Sequence, residues 1–302
     1  MDHDGGVDDV AALAMILSVK GIDLRAVAIT PADSFKEPAI AATRALLQFL
    51  GAPPIPVVAS NNQGTNPFPD DWRKDSIRVA DLPELKALET SSSEAPPAVA
   101  KILELLSGPE PYDILETGPL TNVAEALLRQ PNLRKKIRRI VVMGGAVNVK
   151  GNVVMPGHDG SAEWNFYNNP KAAQIVLSSG IPITLVALDA TNQVPVTREF
   201  MARLKAQQSF RVSKLFYEAW GVIAAKIEAG HYEDSYYFWD TLAAAVFLRP
   251  DIVKIESKKL VVMTTGPSQG RVMEAKDGHA VDVATVVDKR RLYDLILQLF
   301  RK

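Results

Sequence analysis

The 302-residue sequence contains no cysteine. Thiol nucleophiles, disulfides and thiolate metal sites are thereby excluded. Histidine is scarce: His3, His158, His231 and His279 stand at no spacing that builds a zinc site. Neither sign of charge is in excess. The formal net charge is −1, so the basic stripe of a nucleic-acid or anionic-membrane binder is missing. No apolar run approaches the roughly 18 residues that span a bilayer. No apolar signal segment opens the chain, which predicts a cytoplasmic protein. Heptads, internal repeats and low-complexity tracts are absent too. What is present is 47% hydrophobic residues, ample for a large core. One domain over residues 1–302 is expected.

Carboxylates are crowded at one place. Asp2, Asp4, Asp8 and Asp9 fall in the first nine residues, in Met-Asp-His-Asp-Gly-Gly-Val-Asp-Asp. Like charges this close need a counter-charge, and a divalent cation is the simplest one. The apolar run Val10, Ala11, Leu13, Ala14, Ile16, Leu17 follows, which puts Asp8 and Asp9 at a helix N-terminus, where negative charge is favoured. A plain acidic helix cap is the simpler alternative, but it rarely needs four carboxylates around two glycines. Hard oxygen donors suit calcium or magnesium. Such an ion could orient a water and lower its pKa, and a carboxylate beside it could act as general base.

Helical and strand patterns alternate along the chain. Helices are predicted over 8–20, 37–50, 98–106, 122–129, 170–179, 198–229 (with a break near Gln208), 241–248 and 292–300. Strands are predicted over 22–29, 55–59, 112–116, 140–143 and 181–188, with an antiparallel addition over 252–262 and 272–275. Residues 61–95, rich in Pro, Asn, Asp and Ser, read as a long surface excursion. This order predicts an α/β fold: an open, mostly parallel central sheet with helices on both faces. Ligands of such sheets bind beyond the carboxyl ends of the strands. The polar clusters at Thr30–Asp33, Thr117-Gly118 and Gly144-Gly145 fall in loops after strands, Asp4–Asp9 would follow a first strand, and Asp240 begins a helix after an aromatic loop.

Asp-His-Asp-Gly-Gly-Val-Asp-Asp (2–9) resembles the N-terminal signature of the nucleoside hydrolases, the inosine–uridine-preferring superfamily. The resemblance covers nearly the whole chain, in five segments in the right order. It implies a Rossmann-like fold and calcium-dependent cleavage of the N-glycosidic bond of ribonucleosides. By resemblance Asp4 binds calcium and takes the proton of the attacking water, Asp9 is a second ligand, and Asp8 holds ribose hydroxyls. Glu-Thr-Gly-Pro-Leu-Thr-Asn (116–122) is similar to the loop whose threonine, here Thr117, offers its main-chain carbonyl to calcium. Met143–Asn152 and Ala-Glu-Trp-Asn (162–165) resemble the ribose-binding stretch, with Asn152, Glu163 and Asn165 on the sugar. Trp-Asp-Thr-Leu (239–242) resembles the last ligand motif, with Asp240 on the metal. Relatives imply a homodimer or homotetramer acting on a small-molecule nucleoside, with no nucleic acid and no membrane.

Base specificity reads from three further places. Trp239 precedes Asp240 where another branch carries histidine. Asn-Pro-Phe-Pro-Asp-Asp-Trp (66–72) resembles the stacking loop of the branch specific for inosine, adenosine and guanosine, which makes Trp72 the other face of a purine sandwich. Ile-Thr-Pro-Ala-Asp (29–33) resembles that branch's second-strand loop, in which Asp33 reaches the base. Trp164 is expected to pack beside the sugar site. Electron-rich indole faces would favour a purine that carries an added proton. Tyr232–Phe238 is expected to form part of a lid, with Tyr236 or Tyr237 closing on substrate.

Two departures stand out. The family has a buried apolar strand before the first aspartate, whereas only Met1 precedes it here, so either the chain start is assigned too late or the first strand is much shortened. Gly6 stands where purine-specific relatives tend to carry an asparagine near the ribose, which predicts weaker or looser sugar binding. Two alternatives remain. Asp2-His3-Asp4-Gly5 loosely fits a haloacid dehalogenase-type phosphatase, but no later Gly-Asp-x-x-x-Asp pair completes it. A non-catalytic nucleoside-binding relative would share these motifs; pyrimidine or broad preference is the alternative within the enzyme reading.

Overall fold

The computed structural model describes residues 1–88, 94–224 and 236–302. Its strands are β1 (Asp2–His3), β2 (Val27–Ile29), β3 (Val57–Ala59), β4 (Tyr112–Glu116), β5 (Ile137–Met143), β6 (Ile183–Val186), β7 (Val253–Val262), β8 (Val272–Glu274) and β9 (His279–Val287). They form one sheet in the order β3-β2-β1-β4-β5-β6-β9-β7-β8. From β3 to β9 every neighbouring pair is parallel. β7 then runs antiparallel to β9, and β8 antiparallel to β7. The expected architecture is therefore present, and its antiparallel edge includes β9, which the sequence pattern did not separate from its surroundings.

The strand order turns around at β1. Chain order runs outward through β2 and β3 on one side and through β4, β5 and β6 on the other. Such a reversal opens a crevice beyond the carboxyl ends of the two central strands, because the loops that follow them diverge to opposite sides. Asp4 follows β1 and Thr117 follows β4, so both stand at this crevice.

Apolar clusters cover both faces. The helices Val7–Ser18, Arg211–Ala224 and Asp240–Leu248 pack on one face, and Thr121–Arg129 and Pro170–Leu177 on the other. Val7–Ser18 is buried on nearly every side, which explains its run of alanine, leucine and isoleucine instead of an amphipathic stripe. It packs against Asp240–Leu248, and this contact carries Asp240 to the N-terminal loop. Among the described residues no helix is long and apolar enough to cross a membrane.

Several boundaries differ from the sequence reading. The strand expected over 22–29 is regular only at Val27–Ile29. β1 is two residues long and pairs with β2 at Ala28 and Ile29; the Met1 ammonium reaches the Ala26 carbonyl at 3.1 Å. The strand expected over 55–59 begins at Val57, after Pro56. Residues 61–88 are not a bare excursion. They fold into the short helices Asp70–Arg73, Asp75–Ala80 and Pro83–Lys86, and bury Phe68, Val79, Leu82 and Leu85. Their apolar residues are too sparse for a helical period to show within four to six residues. The helix expected over 198–229 is broken as predicted, into Arg198–Ala206 and Arg211–Ala224; the remainder of that prediction lies outside the described residues.

Candidate active site

Strand ends and one tight turn place the carboxylates. After β1 the chain turns at Gly5, with φ +86°. A Cβ there would stand 2.6 Å from Ala39 Cβ, so the left-handed turn and the close approach both require glycine. The Asp9 carboxylate accepts the Gly6 N–H at 2.8 Å and the Thr117 hydroxyl at 2.5 Å. It thereby ties the helix start to the loop after β4. Asp4 accepts the Asp33 N–H at 3.2 Å, which joins the loops after β1 and β2. Asp2 accepts from Asn122 and Thr30 at 3.2 and 3.4 Å, and so serves the sheet. His3 is buried between the Gly5 N–H and the Thr43 hydroxyl.

These carboxylates repel one another. Burial, then the charges of Asp9 and Asp33, holds the Asp4 carboxyl well above the usual carboxylate range. Burial, then Asp9, Asp8, Asp4 and Asp33, does the same to Asp240. No Lys, Arg or His among the described residues pairs with Asp4, Asp9 or Asp240. A concentration of buried negative charge with no protein counter-charge is the electrostatic condition for a hard divalent cation. Asp4, Asp240 and Thr117 share the wall of one cleft, and their donors are all oxygen. No three acidic or imidazole side chains among the described residues converge as a ready cluster, because Asp9 turns its oxygens to Gly6 and Thr117. The donor set fits a cation; its final arrangement requires these side chains to turn.

The cleft has a volume of about 340 Å³. Ten of the twelve residues singled out from the sequence line it: Asp4, Asp33, Trp72, Thr117, Asn152, Glu163, Trp164, Asn165, Trp239 and Asp240. Glu163 caps the helix Trp164–Asn168, accepting from the main chain of Asn165 at 2.9 Å and Phe166 at 3.2 Å. It also accepts the Gly145 N–H at 2.8 Å. Burial raises its pKa despite these donors. Asn165 donates to the carbonyls of Thr117 and Met143 at 3.0 and 3.3 Å, and Asn152 accepts the Trp164 N–H at 3.2 Å.

Aromatic rings form the rest of the wall. Trp164 is buried and meets Phe68 at 4.9 Å and Trp72 at 5.2 Å between centroids. Trp72 is itself 46% exposed. Trp239 stands before the helix Asp240–Leu248, with Tyr236 edge-on at 4.8 Å. Tyr236 lines the cleft and Tyr237 does not; residues 225–235, which include most of the expected lid, lie outside the described residues. Sequence reasoning did not single out Phe68, Met143 or Ile223, which also line the cleft. Phe68 was inside the Asn-Pro-Phe-Pro segment and Met143 opened the Met143–Asn152 stretch; Ile223 carries no signal beyond being apolar.

Asp8 and Asp9 are not part of the cleft's lining. Asp9 lies behind the wall, on the contacts described above. Asp8, expected on the ribose, accepts the N–H groups of Asp240 and Thr241 at 2.6 and 3.1 Å and the Thr241 hydroxyl at 3.0 Å. Its carboxylate caps the helix that carries Asp240. Gly6 also gains a physical reason: a Cβ there would stand 2.6 Å from Asp33 Oδ2, so the Asp33 carboxylate fills the space a side chain at position 6 would take. A larger cavity of about 610 Å³, at the opposite ends of the strands, is lined by none of the twelve.

The model of the family described as inosine-uridine preferring nucleoside hydrolase matches residues 1–294. The crystal structure of an inosine-uridine preferring nucleoside hydrolase from Bacillus anthracis superimposes with a TM-score of 0.92 at 37% identity, covering 99% of this chain and 97% of that one. A purine-preferring ribonucleoside hydrolase from Gardnerella vaginalis has a TM-score of 0.84 at 25% identity, covering 99% and 96%. The pyrimidine-specific ribonucleoside hydrolase RihA of Citrobacter koseri is 32% identical over 213 residues; the match takes in 68% of this chain and 64% of that protein's length.

Proposed function

We propose that this chain, which belongs to the inosine-uridine preferring nucleoside hydrolase family, hydrolyses purine ribonucleosides to free base and ribose in a calcium-dependent reaction. The observation that carries this reading is one cleft that holds Asp4, Thr117 and Asp240 together with Asn152, Glu163 and Asn165 and the indoles of Trp72 and Trp239. The sugar and its reacting carbon belong beside the carboxylates, and the base belongs against the indoles.

Asp4, Asp9, Asp240 and the Thr117 carbonyl are the groups that would hold calcium, which when bound supplies a Lewis acid that lowers the pKa of a water. Asp4 takes the proton of the attacking water as its oxygen bonds to the anomeric carbon. Asn152, Glu163 and Asn165 hold the ribose hydroxyls. Their existing bonds to main-chain groups pre-orient them, so little side-chain entropy is lost on binding. The N-glycosidic bond breaks with its electron pair moving to the base, which takes a proton from solvent. Trp72 and Trp239 favour the base as it becomes cationic, since the face of an indole attracts positive charge. Asp33, at the same wall, accepts a hydrogen bond from the base.

A pyrimidine or broad preference is the second reading, favoured by the 32% identity to a protein named as pyrimidine-specific. Hydrolysis of inosine, adenosine, guanosine and uridine, each with and without a chelator, separates the two. Purine cleavage that is lost on chelation is expected. Best cleavage of uridine overturns the purine assignment, and a rate unaffected by chelation overturns the cation.

A further inference from the structure

Trp72 and Arg73 are neighbours in the four-residue helix Asp70–Arg73, yet their surroundings are opposite. Trp72 is 46% exposed at the cleft, while Arg73 is 6% exposed beneath it. A buried guanidinium is costly unless its charge and its donors are used. Here it is engaged on three sides. Nη2 donates to the Ser34 carbonyl at 3.3 Å. Cζ lies 4.3 Å from the centroid of the Phe35 ring. Nη1 stands 3.6 Å from Asp70 Oδ1. Ser34 and Phe35 directly follow Asp33, and Arg73 directly follows Trp72. The far end of the same loop is held separately: Asn66 donates to the Tyr167 carbonyl at 2.7 Å, and Phe68 packs on Trp164.

We infer that Arg73 is a positioning residue for base recognition, a strut that joins the Trp72 loop to the Asp33 loop so that both contacts to the base are set together. This rests on the proposed function. Arg73 does not line the cleft, so it acts through its neighbours and not on the substrate. Lysine cannot replace it, because a flat guanidinium can stack on Phe35 while donating to Ser34 and a point-charged ammonium cannot. Asn152, Glu163 and Asn165 hang on other elements, so loosening this strut weakens base binding and leaves ribose binding intact.

The test compares wild type, Arg73→Lys and Arg73→Met in steady-state hydrolysis of inosine with calcium present, alongside the inhibition constant of free ribose. Both variants are expected to raise KM about tenfold, with kcat changed by less than about threefold and the ribose constant by less than about twofold. An unchanged KM, or a ribose constant that rises in step with KM, overturns the inference. If Arg73→Met does not fold, Arg73→Lys carries the reading. The proposed function is tested separately, by whether wild type cleaves inosine at all. Should it not, acrylamide quenching of tryptophan fluorescence still tests the strut. Quenching is expected to increase in Arg73→Lys and not to increase when Trp72→Phe is also present; equal quenching of wild type and Arg73→Lys overturns it.

Discussion

Glu163, Asn165, Asp9 and Thr117 are buried and bonded to main-chain or side-chain groups of elements distant in sequence. Trp72, at the other end of the same cleft, is half exposed on a helix of four residues. The half of the cleft proposed for the cation and the sugar is thus tied to the sheet through elements distant in sequence. The half proposed for the base is carried by a surface loop and by the residue before a helix. Loops change more readily than sheet ends, so relatives with one sheet and differing base preferences are what this construction allows. Under the proposed function, chemistry and specificity would sit on structurally separate supports.

The largest expected effect breaks the first half. Asp4→Ala should lower kcat on inosine by at least about a thousandfold with an unchanged circular dichroism spectrum; retained turnover would remove Asp4 from its role. Breaking the second half should cost less and depend on the leaving group. Trp239→Ala is expected to lower turnover of inosine about a hundredfold, and that of a nitrophenyl riboside less than about tenfold, since nitrophenolate needs no protonation. Equal losses on both would mean that the indole only positions the sugar.

Asp8 sharpens the comparison, because it supports the first half without facing the cleft. Asp8→Ala leaves two buried helix N–H groups without their acceptor and should destabilise the fold by about 1–3 kcal/mol in denaturant unfolding. Wild-type stability with a weakened ribose inhibition constant would return Asp8 to the sugar. The smallest effect is a shift with pH. Burial pushes the Asp8 carboxyl up to about 7, and burial with neighbouring charges holds Asp4 and Asp240 well above their usual values. A carboxyl raised in the folded state stabilises while protonated. That contribution is complete below an unfolded value of about 4 and is lost as pH rises through the folded one. The cation-free protein should therefore lose stability from about pH 4 through about pH 7, and calcium should raise Tm more at about pH 8 than at about pH 5. An equal rise at both would contradict a cation site built on these carboxylates.

Sequence legibility followed the same division. The β-α order was readable from local pattern, and the resemblance singled out Asp4, Thr117, Glu163 and Asp240, which the fold gathers at one cleft. The sugar role of Asp8 came from the resemblance alone; its observed partners, Asp240 and Thr241, are more than two hundred residues away and leave no trace in its own string. The short helices of 70–86 escaped notice because four to six residues hold too little periodicity. Arg73 gave no signal, since an arginine beside two aspartates reads as surface until Phe35 and Ser34 are seen to cover it.

The most direct measurement is a crystal structure of Asp4→Asn soaked with inosine and calcium. The account predicts the ribose against Asn152, Glu163 and Asn165, the hypoxanthine ring between Trp72 and Trp239, and calcium at Asp9, Asp240 and the Thr117 carbonyl. A base that contacts neither indole, or a cation bound away from these three groups, would contradict it.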